Sequence, residues 1–171
     1  MAWIDHALWW HVYPLGFTDA PIREGDSRTG RGFDHLTGWL DYVQELGLNG
    51  IALGPIFESK THGYDTLDYL KIDPRLGDDA AFDRFLAACK KRGIRVLLDG
   101  VFSHVSIDFA PLRRELEHPS ANAREREFDI DMEADGGPAP RVWEGHGEHA
   151  RFHHESAAAR ERIAHVMRSW L

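Results

Sequence analysis

An acid and an imidazole follow an apolar segment in "VLLDGVFSH", residues 96–104. Asp99 ends the apolar run, and His104 comes five residues later. A carboxylate accepts hydrogen bonds, and an imidazole donates or accepts a proton near neutral pH. An aspartate at the end of a strand is also a common turn former. The two residues are therefore candidates for a site only if the fold presents this strand end to a ligand.

Four histidines towards the end of the chain suggest a second kind of chemistry. They are His146, His149, His153 and His154, and the first two form a His-x-x-His pattern within "GHGEH". This pattern lacks neighbouring cysteines and a helix to hold the ligands, which zinc sites usually have. We predict no metal site here and expect these histidines at the surface of a polar segment or at the rim of a cleft.

The elements that must position these residues alternate between strand and helix. Apolar runs at 7–13, 49–55 and 94–99 predict three strands, and a helical pattern follows each of them. Crossover helices between strands make the strands parallel. The nearly continuous apolar run of 94–99 is typical of a parallel strand covered on both faces. Residues 103–155 are polar and are predicted to be irregular.

The helix boundaries follow from capping residues. The first helix ends at Gly47, the second begins at Asp78 or Asp79 and ends at Gly93, and the third begins at Ser156. The apolar faces of the three helices are Leu36, Trp39, Leu40, Val43 and Leu46, then Phe82, Phe85, Leu86 and Cys89, then Ile163, Val166, Met167 and Trp170. Two folds fit this pattern, an open doubly wound sheet and a closed (β/α)8 barrel. In both, ligands bind at the carboxyl ends of the strands, where Asp99 lies.

Composition excludes several classes of function. The net charge of −8 argues against binding to nucleic acid or to an anionic membrane surface. Cys89 is the single cysteine, so no intrachain disulfide can form. The N-terminal residues lack the basic and apolar segments of a secretory signal, and no apolar stretch approaches the roughly 18 residues of a membrane span. We therefore expect a cytoplasmic protein.

Several motifs in order resemble the α-amylase-type glycoside hydrolases, which cleave or transfer α-glucosidic bonds. The segment "WWHVYPLGFTDA" resembles the first strand of that family, and "GFDHLTGWLDYVQELGLNGIALGPIFES" its first helix and second strand. The segment "HGYDTLDYLKIDPRLG" is similar to the family's glycine-tyrosine-aspartate segment. "KRGIRVLLDGVFSH" resembles its motif aspartate-x-valine-x-asparagine-histidine, with Asp99, Val101, Ser103 and His104 at those positions.

The resemblance implies the first three strand–helix units of a (β/α)8 TIM barrel. Residues 1–102 would form the first part of the barrel, 103–155 an irregular domain B inserted between strand 3 and helix 3, and 156–171 the third barrel helix. It also implies a retaining mechanism with two carboxylates about 5 Å apart. In the family these carboxylates follow later strands, so we expect the nucleophile and the acid/base beyond Leu171. The open sheet edges and the apolar helix end also favour a chain that is part of a larger fold.

The resemblance also assigns roles to residues of this chain. His104 would donate a hydrogen bond to a sugar hydroxyl, and Tyr64 would offer a flat face on which the sugar stacks. Asp99 would support the floor of the sugar subsite, Asp65 would brace the loop that carries Tyr64, and His62 is a further substrate-binding candidate. The expected partners are an α-glucan or malto-oligosaccharide and the C-terminal remainder of the same barrel.

One departure from the family concerns metal binding. Ser103 stands where the motif often has a calcium-binding asparagine, and a hydroxyl is a poorer calcium ligand than an amide carbonyl. We therefore predict neither calcium nor another cofactor.

Three functional hypotheses stay open. The chain belongs to an active α-glucan hydrolase or transglycosylase, in which case it is inactive alone. It is otherwise a non-catalytic carbohydrate-binding or assembly relative of the same fold. The third is an unrelated open-sheet, metal-dependent hydrolase that uses Asp99 and the histidines, although the usual phosphate-cradling and metal-ligand spacings are absent.

Overall fold

The computed structural model describes residues 2–23, 26–28 and 30–171. The chain divides into two units. Unit 1 comprises Met1–Ile56, Thr61–Gly63 and Lys71–Asp99. Unit 2 comprises Phe57–Lys60, Tyr64–Leu70 and Gly100–Leu171. None of the helices in the described ranges has the length and apolar character that a membrane crossing needs.

The described part of the chain alternates short strands and helices. In chain order the strands are β1 (Trp9–Val12), β2 (Gly50–Leu53), β3 (Phe57–Ser59), β4 (Thr66–Ile72), β5 (Arg95–Leu98), β6 (His104–Ser106), β7 (Ile130–Asp131), β8 (Ala139–Pro140), β9 (Val142–Trp143) and β10 (His146–Arg151). The α-helices are α1 (Pro14–Phe17), α2 (Gly32–Thr37), α3 (Leu40–Glu45), α4 (Asp79–Lys91), α5 (Ala110–Glu117) and α6 (Ala157–Trp170).

Unit 1 is built on a parallel sheet with the strand order β1-β2-β5. This confirms the three parallel strands that the alternation predicts. The register aligns Val12, Leu53 and Leu98, so all three strands end at the same level. The prediction that the third strand is covered on both faces is wrong for the described residues. Leu97 is 54% exposed, so one face of β5 is not covered in the described part of the chain, where β5 is an outer strand of this sheet.

The first predicted helix is broken into α2 and α3. Gly38 ends α2, and glycine is a poor helix former because it loses the most backbone entropy. Of the predicted apolar face, Leu36, Leu40 and Val43 are buried. Trp39 and Leu46 are exposed, so the expectation that they belong to the buried face is wrong.

Helix α4 begins and ends where the sequence predicts. The carboxylate of Asp78 caps it by accepting a hydrogen bond from the backbone N–H of Ala81 at 2.8 Å. Gly93 follows its end with a φ of +69°, a conformation that glycine adopts at little cost. The rings of Phe82 and Phe85 pack against Phe33 of α2 with centroid distances of 5.1 and 5.6 Å. This aromatic contact holds α4 to α2.

Unit 2 contains regular elements where the sequence predicts irregular structure, so that prediction is wrong. Strands β6, β10 and β9 form an antiparallel sheet, and β7 pairs with β8. These strands are two to six residues long, and the partner of β6 lies more than 40 residues further along the chain. Strands that short carry no recognisable periodicity, and only the pairing reveals them.

Helix α6 begins as predicted, with the Ser156 hydroxyl accepting a hydrogen bond from the backbone N–H of Ala159 at 3.0 Å. Val166 is buried and Ile163 is half-buried, but Met167 is exposed. Met167 therefore lies outside the buried face of α6, although the helical pattern predicts it there. The Trp170 indole N–H donates to the carbonyl of Tyr69 at 2.7 Å, which ties the end of α6 to β4.

Candidate functional site

The carboxyl edge of the parallel sheet in unit 1 carries the first group of candidate residues. Tyr13, Gly54 and Asp99 directly follow the aligned strand ends. The backbone N–H of Asp99 donates to the carbonyl of Leu53 at 3.0 Å, and that of Gly54 donates to Val12 at 2.7 Å. These bonds continue the ladder by one residue and fix the backbone of Asp99. Asp99 therefore lies at a strand end of the kind where α/β proteins bind ligands.

Tyr13 is a residue of this edge that the sequence reasoning missed. Its hydroxyl donates to the backbone carbonyl of His62 at 2.8 Å. This bond holds the His62 segment near the end of β1. The available signal was the position of Tyr13 as the last residue of the predicted strand 7–13. Gly63 comes next with a φ of +95°, which a residue with a side chain rarely adopts.

Tyr64 and Asp65 belong to unit 2. Asp65 is buried and Tyr64 is half-buried. The backbone carbonyl of Asp65 accepts a hydrogen bond from the N–H of Lys60 at 3.1 Å, which closes the turn between β3 and β4. A buried aspartate at this turn is compatible with the bracing role expected for Asp65.

A surface ion-pair network lies beside this turn in unit 2. The Lys60 ammonium is 2.8 Å from a carboxylate oxygen of Asp108 and 3.9 Å from one of Glu148. The hydrogen bond with Asp108 raises the pKa of Lys60, and the bonds from Lys60 and Arg113 lower the pKa of Asp108. Because these groups are exposed to solvent, the network contributes little to stability.

His104 lies in a cluster of aromatic rings within unit 2. It is the first residue of β6 and is 3% exposed. Its ring stacks on Trp143 and on His149 with centroid distances of 4.4 Å and interplanar angles of 23° and 25°. Its Nδ1 is 2.9 Å from the hydroxyl oxygen of Ser103. The hydroxyl of Tyr69 donates to the carbonyl of Val101 and lies 3.3 Å from the carbonyl of His104, and β6 pairs with β10 at His104. His104 is therefore held on its faces, its edge and its backbone.

The four histidines of the polar segment have different surroundings. His149 stacks on His104, and His146 is exposed near the rings of Trp143 and His149. His153 donates its backbone N–H to the carbonyl of Glu127, and His154 lies 2.7 Å from the carbonyl of Phe102 through Nε2. The described residues contain no group of three or more histidine, cysteine or acidic side chains that could hold a metal ion.

Comparison with known proteins supplies the family. The profile described as "Alpha amylase, catalytic domain" matches residues 11–170. The chain belongs to the α-amylase family. This family of glycoside hydrolases is the one that the motifs resemble.

Two similar relatives are a maltogenic α-amylase and a cyclomaltodextrinase. The maltogenic α-amylase of Bacillus acidopullulyticus is 29% identical in an alignment that is 191 residues long. This alignment covers 99% of this chain and 32% of that protein. The cyclomaltodextrinase of Geobacillus thermopakistaniensis is 32% identical over 143 residues, which cover 75% of this chain and 24% of that protein. The chain thus spans about a third of the first relative and about a quarter of the second.

Solved structures of the family share the fold of this chain. The ligand-free cyclic α-maltosyl-(1→6)-maltose hydrolase of Arthrobacter globiformis superimposes with a TM-score of 0.82 at 28% identity, covering 98% of this chain and 42% of that one. The acarbose-soaked debranching enzyme of Nostoc punctiforme superimposes with a TM-score of 0.79 at 30% identity, covering 98% of this chain and 41% of that one. The parallel strands of unit 1 are accordingly part of an α-amylase-type TIM barrel. The assignment of 103–155 as an inserted domain B stays a prediction.

Proposed function

We propose that this chain forms part of the sugar-binding cleft of a retaining α-glucan-active hydrolase or transglycosylase. The observation that carries the proposal is the position of Asp99 at the aligned carboxyl ends of three parallel strands in an α-amylase-family chain. In barrels of this class the ligand binds at that edge. The proposed ligand is a malto-oligosaccharide, in keeping with the names of the maltogenic amylase and cyclomaltodextrinase relatives.

Each candidate residue has a proposed part in holding the sugar. His104 donates a hydrogen bond to a sugar hydroxyl, and Tyr64 provides a flat face for the apolar side of the ring. Asp99 supports the floor of the subsite, His62 contributes a further contact, and Asp65 braces the segment that carries Tyr64. A cleft of this kind combines aromatic faces with a few fixed polar groups and keeps water away from the ligand.

The groups that break the glycosidic bond are proposed to lie in the parent protein outside this segment. Retaining glycosidases use one carboxylate as nucleophile and another as acid/base, about 5 Å apart. We assign neither role to a residue of this chain, and we propose no calcium because Ser103 replaces the asparagine of the motif. A cytoplasmic location also stays a prediction.

The first test uses the 171-residue polypeptide alone. We expect no hydrolysis of maltodextrins or of an aryl α-glucoside, because the proposed catalytic carboxylates are not among its residues. The assay compares it with a mock purification and with the longer parent polypeptide. Turnover that co-purifies with the 171-residue polypeptide would contradict this expectation. A fully inactive parent would instead favour the non-catalytic carbohydrate-binding relative.

The second test uses substitutions in the parent protein. His104→Ala should lower kcat/KM by the equivalent of about 2–4 kcal/mol, the usual loss for a preorganised donor to a transition state. Tyr64→Ala should lower it as well, by removing the stacking face. His118→Ala and Tyr42→Ala are matched controls, because both side chains are exposed and neither is among the proposed site residues. Wild-type kinetics with unchanged melting would remove the tested residue from the site.

A further inference from the structure

A tight hairpin joins β9 and β10 and brings two rings together. Glu144 and Gly145 occupy the turn with φ values of +47° and +80°. Positive φ at both central residues defines a type I′ turn, which matches the twist of a two-stranded ribbon. The turn pairs Trp143 with His146, and their rings lie at an interplanar angle of 22° with centroids 6.0 Å apart.

Strand β10 then returns alongside β6 and places a further imidazole beside His104. The register pairs His149 with Ser106 and Arg151 with His104. Four rings form a closed cycle with neighbouring centroid distances of 4.4, 6.0, 5.6 and 4.4 Å, in the order His104, Trp143, His146, His149. His104 is the most enclosed of the four, since it is 3% exposed and touches both Trp143 and His149 at the shorter distance.

This packing restrains the imidazole of His104 in two ways. Ring stacking fixes its plane, because rotation about the Cβ–Cγ bond would drive the ring edge into the neighbouring indole. The contact between Nδ1 and the Ser103 hydroxyl holds the Nδ1 edge of the imidazole towards Ser103. Side chains that bind a reacting group need a neighbouring shell that holds their orientation to a fraction of an ångström.

We propose that Trp143 is a positioning residue for His104. The β9–β10 hairpin is the element that places the indole of Trp143 against the imidazole. The inference rests on the proposed function, in which His104 contacts the sugar. Trp143 acts on the substrate through His104 and is not itself a catalytic residue. The type I′ turn and the β6–β10 register together determine where the indole lies.

Kinetics of the parent protein on maltodextrin test the coupling between the two residues. Trp143→Ala should lower kcat/KM about three- to tenfold, the effect of losing one aromatic contact, and Trp143→Phe should restore most of it. In a His104→Ala background, Trp143→Ala should have no further effect, since its action passes through the imidazole. Trp39→Ala, which removes aromatic contacts with Trp10, Phe17 and Tyr42 in unit 1, is the matched control, and with unchanged melting it should leave kcat/KM unchanged. Additive losses in the double variant would overturn the proposal.

Nuclear magnetic resonance of histidine-labelled parent protein tests the stack without any substrate. The signal that disappears in His104→Ala identifies the imidazole. We expect this signal upfield of that of exposed His118 because of the indole ring current, and Trp143→Ala should shift it downfield. An unchanged signal in Trp143→Ala and Trp143→Phe overturns the proposal.

The two measurements separate failure of the inference from failure of the proposed function. If the signal shifts and His104→Ala lowers kcat/KM but Trp143→Ala does not, the positioning role is wrong while the proposed function stands. If the signal shifts but His104→Ala has wild-type kinetics, the proposed function of His104 is wrong and the positioning role falls with it. Melting curves of Trp143→Ala and Trp143→Phe identify any loss of activity that comes from unfolding.

Discussion

Burial changes the chemistry of individual side chains in this protein. Cys89 lies on the inner face of α4 with 1% of its surface exposed. Burial raises the pKa of its thiol to about 12, because the thiolate is disfavoured away from water. Glu115 behaves in the same sense, since burial raises the pKa of its carboxyl although it accepts backbone N–H bonds from Glu127 and Phe128. Packing thus favours the protonated form of both groups.

We predict that Cys89 does not react with a disulfide reagent such as an aryl disulfide at pH 8 in the folded chain. The thiolate is the reactive species, and both its low population and its burial protect it. The same chain in denaturant should react with one equivalent, which serves as the control. Rapid stoichiometric reaction without denaturant would contradict the burial of α4 against the sheet.

The raised pKa also predicts how Cys89 affects stability at alkaline pH. The ordinary pKa of a cysteine thiol is 9.0, and burial raises the pKa of Cys89 to about 12. Between these values the unfolded chain has lost the proton and the folded chain keeps it, so the free energy of unfolding falls as the pH rises. Denaturant titrations should show a shallower fall in Cys89→Ala. Parallel pH dependence in the two proteins would show that the thiol is not protected.

Short connections decide how the elements of unit 2 are arranged. Glu144 adopts a positive φ in the type I′ turn, where asparagine is preferred. A residue with an ordinary side chain pays an energetic cost in this conformation, whereas the short polar side chain of asparagine tolerates it. The β9–β10 hairpin therefore forms despite a locally unfavourable residue, supported by the pairing of β10 with β6.

Glu144→Asn should raise the free energy of unfolding by about 1 kcal/mol, because asparagine relieves the backbone strain. For a chain of this size that corresponds to a rise of about 2–4 °C in Tm. Glu133→Asn is the matched control, since it removes the same charge from an exposed turn whose φ is not positive. Equal effects of the two substitutions would assign the gain to charge and would refute the turn argument.

At the scale of the whole molecule, apolar groups and strand edges remain open to solvent. In the described part of unit 1, β1 and β5 are the outer strands of the parallel sheet. The exposed large apolar side chains of this unit include Trp3, Ile4, Leu8 and Leu97. Unpaired edge groups beside apolar surface favour association with another chain. The proposed partner is the remainder of the barrel.

We predict that the isolated 171-residue polypeptide self-associates or binds a polypeptide that carries the rest of the barrel. Leu97→Lys should weaken this association, because a charge on an edge strand opposes further pairing. Leu46→Lys, at a similarly exposed leucine that follows helix α3 and does not lie on a strand, is the control and should have no such effect. Light scattering and native mass spectrometry provide the measurement. A monodisperse particle near 19.5 kDa with a cooperative melt would contradict the prediction.

The sequence alone determined the features that depend on near neighbours in the chain. Alternating apolar patterns predict the parallel strands and place Asp99 at a strand end. Capping residues predict that α4 begins at Asp78 or Asp79 and that α6 begins at Ser156. The motifs pointed to the α-amylase family, which the family profile confirms for residues 11–170. These inferences succeed because periodicity and capping are local and each is set within a few residues.

Only the tertiary structure decided which distant residues meet. Trp143 and His149 stack on His104 from about 40 residues away, and no local pattern encodes that contact. Likewise, the exposure of Leu97 depends on whether another element covers that face of β5, which its own apolar sequence does not determine. Burial and ring stacking are properties of the three-dimensional arrangement, because they require groups that come together only when the chain has folded.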